Sequence, residues 1–224
     1  MFKISKLKLL FYILLAFTIT IPFLLIIEPT RELTLDAYNF ARPIFLSKGG
    51  NTCIIKLQSR GVHFTRMAEF TEGRCGIQNP VEVQQFSFTK LNSAVVLSCP
   101  TAMAVDQWLS SIGAKNVKHI GSYNCRSQRR SQIMSEHSFG TAIDIAEIDG
   151  ARISTDWGKA TKEGQRLQSA YTSACNYFVN VITPDDDALH QNHFHLDLGL
   201  GVGCKLKPVV RTVKSFLTAS FTDR

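Results

Sequence analysis

The apolar positions of this chain follow three rhythms, and each predicts a different element. From Leu9 to Ile27 they run on without a charge (LLFYILLAFTITIPFLLII). Nineteen residues at ~1.5 Å each span roughly 28 Å, about one hydrocarbon core. The run ends Ile26-Ile27-Glu28-Pro29-Thr30, with no small-residue cleavage site, so it predicts a retained membrane anchor over 9–27 rather than a cleaved signal. Pro22 within it is tolerated in a membrane helix. The second rhythm is helical. After Pro100, the residues Ala104, Val105, Trp108, Leu109 and Ile112 share one face up to Gly113. Leu167, Ala170, Tyr171, Ala174 and Phe178 do the same within a helix expected over about 162–178. The third rhythm is alternation, in VEVQQFSF, AVVLSC, VKHIGSY, AIDIAEI, NVIT and HFHLDLGL, which read as strands. Residues 28–50 sustain no period and end in Gly49-Gly50, as a stalk would. One domain over 51–224 follows, of α+β class, with a small, mostly antiparallel sheet and flanking helices.

Charge sets the orientation of the chain. Lys3, Lys6 and Lys8 form a basic tip over 1–8, which places the N-terminus in the cytoplasm and everything after residue 28 outside. The whole chain has 25 Lys+Arg against 18 Asp+Glu, a net charge of +7, with 45% hydrophobic and 19% charged residues among its 224. That composition excludes a disordered or collagen-like chain. No basic run is interleaved with aromatics, so no nucleic-acid partner is expected. The modest positive excess fits an anionic envelope polymer or membrane surface. Six cysteines (Cys53, Cys75, Cys99, Cys125, Cys175, Cys204) all follow the anchor, and none lie in C-x-x-C spacing. An even number on the exported side predicts disulfides rather than a cysteine zinc site, and of the fifteen connectivities sequential pairing, 53–75, 99–125 and 175–204, is expected.

Candidate chemistry gathers in two segments. In His193-Phe194-His195-Leu196-Asp197-Leu198 the odd positions are polar and the even ones apolar, so both imidazoles leave one face of a strand, about 7 Å apart. In Ser135-Glu136-His137-Ser138-Phe139-Gly140-Thr141-Ala142-Ile143-Asp144, alternation sets Asp144 against the core-facing Ile143 and Ile145. Ala142 and Ala146 leave room beside it. Gly140 permits a bend that returns His137 over the strand. A carboxylate flanked by isoleucines needs a partner, and a cation is a good one. Two histidines and a carboxylate with an open position make a catalytic zinc site, with a further histidine as base. His63, His119, His190 and Trp157 read as structural or loop residues, and Asp185-Asp186-Asp187 as a solvated turn.

The pattern S-x-H-x-x-G-x-A-x-D followed by H-x-H resembles the zinc peptidase superfamily of D-alanyl-D-alanine carboxypeptidases, lysostaphin-like enzymes and murein endopeptidases. Within it, GSYNCR, SEHSFGTAIDIAEI, ACNYF and HFHLDLG resemble the extensin-like C-terminal domain family of bacteria over roughly Cys53 to Cys204. The resemblance implies that His137, Asp144 and His195 bind Zn2+, that His193 is the catalytic base or transition-state partner, and that Arg126 binds substrate carboxylate or the developing oxyanion. It also implies a domain in the periplasm, tethered to the inner membrane by one span and acting on peptidoglycan peptides. Asn192 departs from the family's acid before H-x-H. Two other readings are a non-catalytic wall-binding or scaffolding module with the same fold, and a non-haem iron oxygenase built on His195-Leu196-Asp197.

Overall fold

A computed structural model describes residues 50–129, 131–200 and 204 of the chain. The basic tip, the membrane anchor and all but the last residue of the expected stalk lie outside the described residues. Among the described residues no helix is long and apolar enough to cross a membrane.

The elements run α1 (Gly50–Ser59), β1 (His63–Arg66), β2 (Phe70–Glu72), β3 (Cys75–Ile77), β4 (Pro80–Gln85), β5 (Lys90–Ser98), α2 (Cys99–Ser111) and β6 (Asn116–Gly121). A 3-10 turn, Glu136–Phe139, then leads into β7 (Ala142–Ile148), β8 (Ala151–Arg152), α3 (Ile153–Asp156), α4 (Lys162–Ala174) and β9 (Asn180–Ile182). A second 3-10 turn, Ala188–His190, precedes β10 (Phe194–Asp197). The class is α+β. One sheet has the order β1-β4-β5-β6-β7-β10-β9, with β8 pairing on β7. Every pairing in it is antiparallel except β5 with β6. β2 and β3 form a separate hairpin.

The alternating segments became strands because each buries one face. Val81 and Val83 of β4, Val95 and Leu97 of β5, Ile143 and Ile145 of β7, and Phe194 and Leu196 of β10 all enter one core. The helices supply the opposite layer. Ser98 caps α2 by accepting from the Thr101 amide, and Pro100 sits in the first turn, where its missing N–H costs nothing. Trp108 of α2 is fully buried and donates its indole N–H to the Ala170 carbonyl of α4 at 3.0 Å, which ties the two helices together. Trp157 packs edge-on against Phe194 and Tyr171.

A second, smaller cluster of Cys75, Met134 and Phe139 lies apart from that core, between the β2–β3 hairpin and the turn that carries His137. The disulfides tie these parts together differently from the sequential expectation. Cys175–Cys204 forms as expected, but the other pairs are Cys53–Cys99 and Cys75–Cys125. Cys53 lies on α1, which packs beside α2 where Cys99 begins. Cys75 lies on the hairpin, which folds over the loop after β6 and so meets Cys125.

Candidate metal centre

Register builds the centre. β7 and β10 pair antiparallel with His195 opposite Asp144, Phe194 opposite Ile145 and Leu196 opposite Ile143. The four apolar side chains enter the core, so Asp144 and His195 must leave by the other face, where cross-strand neighbours touch. His195 Nδ1 lies 2.9 Å from Asp144 Oδ1. His193, two residues back on the same face, brings Nε2 to 3.6 Å from Asp144 Oδ1. His137 arrives from the 3-10 turn. Gly140 ends that turn at φ 61°, and a Cβ there would fall 2.7 Å from Ile77 Cδ1 and 2.9 Å from the Ser98 amide nitrogen. The bend brings His137 Nε2 to 3.2 Å from both Asp144 Oδ2 and His195 Nδ1. Ligand atoms of His137, Asp144 and His195 all lie within 4.8 Å of one another.

The hydrogens of the three rings are fixed by their outer partners. His137 Nδ1 donates to the Ser122 carbonyl at 2.5 Å, because a carbonyl can only accept. His195 Nε2 donates to Asp197 Oδ2 at 3.1 Å. Asp197 is itself fixed by Asn180 Nδ2 and the Gly199 amide, at 2.8 and 2.7 Å. His193 Nδ1 donates to Asn192 Oδ1 at 2.8 Å. Each neutral ring therefore carries its hydrogen on the outer nitrogen and points a lone pair inward. His137 Nε2, His195 Nδ1 and His193 Nε2 converge on the two oxygens of one carboxylate, acceptor facing acceptor. Positive charge must sit among them.

When no metal supplies that charge, protons do. Burial pushes His195 down, but hydrogen bonds to Asp144 and Asp197 outweigh it and raise its pKa from 6.5 to about 9. Burial pushes the Asp144 carboxyl up, yet hydrogen bonds and charge from His137 and His195 hold it well below the usual carboxylate range. His193 moves the other way. Burial lowers it, aided by the neighbouring histidines and only partly opposed by Asp144, so it stays neutral at pH 7.

Four of the five expected site residues thus meet. Arg126 does not. Its side chain is exposed and donates to the Ser127 carbonyl at 3.4 Å, while its backbone amide donates to Ser138 Oγ at 3.0 Å. The residue braces the His137 turn through its main chain. Asp197 belongs to the centre as the acceptor behind His195, a role that strand parity suggested only in part. Asp197 bonds the nitrogen of His195 opposite the one that faces Asp144. His190, expected as a loop residue, packs its ring 4.9 Å from His193 and accepts its own orientation from Asp187, with Nδ1 2.8 Å from Oδ1. His119 is buried, with Nε2 2.9 Å from Ser93 Oγ.

A family model described as Extensin-like protein C-terminus matches residues 51–205. No curated protein and no solved structure matches the chain.

Proposed function

The chain belongs to the extensin-like protein C-terminus family, and from that membership and the geometry of the cluster we propose that it is a zinc-dependent hydrolase of peptide bonds in peptidoglycan. In this reading residues 9–27 hold it in the inner membrane, with the domain in the periplasm. The observation that carries the proposal is the convergence of three imidazole lone pairs on one carboxylate, each ring locked from behind by an acceptor. The donors are nitrogen and oxygen, the set that zinc takes in tetrahedral sites with three protein ligands. Space favours the fit as well, since a Cβ on Gly121 would come within 3.1 Å of Asp144 Oδ2, and glycine leaves that side of the carboxylate bare.

His137, Asp144 and His195 would hold the ion. Zinc in such a set polarises a carbonyl and makes water nucleophilic at neutral pH. His193, its pKa lowered by burial and its Nε2 3.6 Å from Asp144 Oδ1, would serve as the base that accepts a proton from water and passes it to the leaving amine. Ser122 and Asp197 keep the ligand rings in the tautomer that presents a lone pair. Purified full-length protein should bind one zinc per chain and cleave defined muropeptides, with new fragments visible by mass spectrometry.

The same geometry supports a second reading. The Arg126 side chain is exposed and bonds the Ser127 carbonyl rather than the cluster, so it does not commit the site to turnover. A site without turnover would make the domain a wall-binding module. Stoichiometric zinc with no cleavage of any muropeptide favours this reading, and cleavage excludes it.

A further inference from the structure

Three groups at the centre stand on or beside the strands of the main sheet, but His137 does not. Its turn rests on Cys75, Met134 and Phe139 and is braced from the side by residues 122–126, which form neither helix nor strand. That brace is specific. The Ser122 carbonyl holds His137 Nδ1 at 2.5 Å, the Asn124 amide donates to the His137 carbonyl at 3.2 Å, and Ser138 Oγ donates to the Arg126 carbonyl at 2.8 Å. Within this segment Tyr123 packs edge-on against Phe70 of the hairpin, with ring centroids 5.2 Å apart. Cys125 is bonded to Cys75, the covalent tie between brace and hairpin.

Cys125 is also the one exposed cysteine of the six. Cys53 and Cys175 are half-buried, and Cys75, Cys99 and Cys204 are buried. Resting on the metal reading above, we propose that the Cys75–Cys125 disulfide is a redox switch on the zinc affinity of this centre. A thiolate of a dithiol reductant reaches Cys125 Sγ and forms a mixed disulfide, and Cys75 leaves as a thiolate that takes up a proton. The second thiol of the reductant then displaces Cys125. Two electrons and two protons pass to the protein, giving two cysteine thiols, and the dithiol is oxidised to its own disulfide. With the tie open, Ser122 keeps its place at the end of β6, where its hydroxyl accepts from the Val96 amide at 3.3 Å, but residues 123–126 lose their covalent hold on the hairpin and brace the His137 turn through hydrogen bonds alone.

The test measures zinc affinity by chelator competition on the full-length chain. It compares the oxidised form, a form reduced mildly by dithiol and alkylated, and Cys75→Ser/Cys125→Ser, with Cys53→Ser/Cys99→Ser as control. Mass mapping of alkylated cysteines should find Cys75 and Cys125 opening first. Zinc affinity should then fall about 10- to 100-fold, the range for disturbing the support behind a metal ligand, with far-UV circular dichroism unchanged. Full affinity with this pair open, or this pair opening last, overturns the switch and leaves the metal centre standing. If the oxidised chain binds no zinc, the metal reading falls and the switch with it. If the Ser variant does not fold, the alkylated wild-type chain gives the answer by the same criterion.

Discussion

Asp144 and His195 stand on strands whose other faces carry Ile143, Ile145, Phe194 and Leu196, all fully buried in the main core. His137 stands on a turn supported by three buried residues, a disulfide and a few hydrogen bonds. Both regions deliver their side chains to the same 4.8 Å cluster, but by different means. In the sheet, position follows from packing that the whole domain shares. In the smaller region, position follows from local contacts: the Cys75–Cys125 disulfide and the hydrogen bonds of residues 122–126. In the proposed reading, an ion would join a half placed by the sheet to a half placed by local contacts.

The strongest way to break this picture is to remove a ligand from the rigid half. Asp144→Ala and His195→Ala should each abolish stoichiometric zinc binding, read by metal analysis after dialysis. Full occupancy in the Asp144 variant sinks the ligand assignment.

Next come substitutions beneath each half. Trp108→Ala in the main core should cost about 3–5 kcal/mol of global stability in denaturant unfolding. Phe139→Ala should lower global stability by less and yet weaken zinc binding more than Trp108→Ala does. The reverse ranking would merge the two regions into one.

Acidity sharpens the comparison further. The metal-free pKa of His195 is raised from 6.5 to about 9, so the stability that its protonated form contributes is complete below pH 6.5 and is lost as pH rises to about 9. Zinc must displace that proton, so zinc affinity should rise across the same window. Thermal unfolding with chelator and with zinc should therefore give opposite slopes between pH 6.5 and 9. Asp197→Asn, which removes one of the charges that raise His195, should bring the upper end of that window down.

The smallest effect belongs to Asn192. Its amide oxygen already holds His193 Nδ1 at 2.8 Å, so Asn192→Asp keeps the contact and adds charge. The histidine-linked limb of a pH–rate profile should move to higher pH, because a nearby anion favours the imidazolium form, with zinc content unchanged.

Legibility in the sequence divided along the same line as the structure. Strands β7 and β10 and helices α2 and α4 were readable because each buries a periodic apolar face, and alternation alone put His193 and His195 on the face opposite Phe194 and Leu196. Gly140 signalled the bend at His137. The small region was not readable. β2 and β3 are three residues each, their side chains follow no period, and their place over the loop after β6 depends on contacts between segments some 50 residues apart, the separation of Cys75 and Cys125. Of the sequential pairs, Cys175–Cys204 forms, and the two that Cys75 and Cys125 would have made do not, for that reason. Helix α1 was missed because Gly49-Gly50 read as a break, although the helix begins at Gly50 itself. For Arg126 the motif located the main chain, whose amide meets Ser138 Oγ beside His137, but not the direction of its exposed side chain.

The measurement closest to the central claim is X-ray absorption spectroscopy of the zinc-loaded full-length chain, beside the His137→Ala variant. The wild type should hold one zinc with nitrogen and oxygen neighbours at about 2.0–2.2 Å, including imidazole scattering. The variant should lose one imidazole or lose the zinc altogether. An unchanged spectrum at full occupancy in the variant would mean that the small region contributes nothing to the centre, and the two-part assembly described here would be wrong.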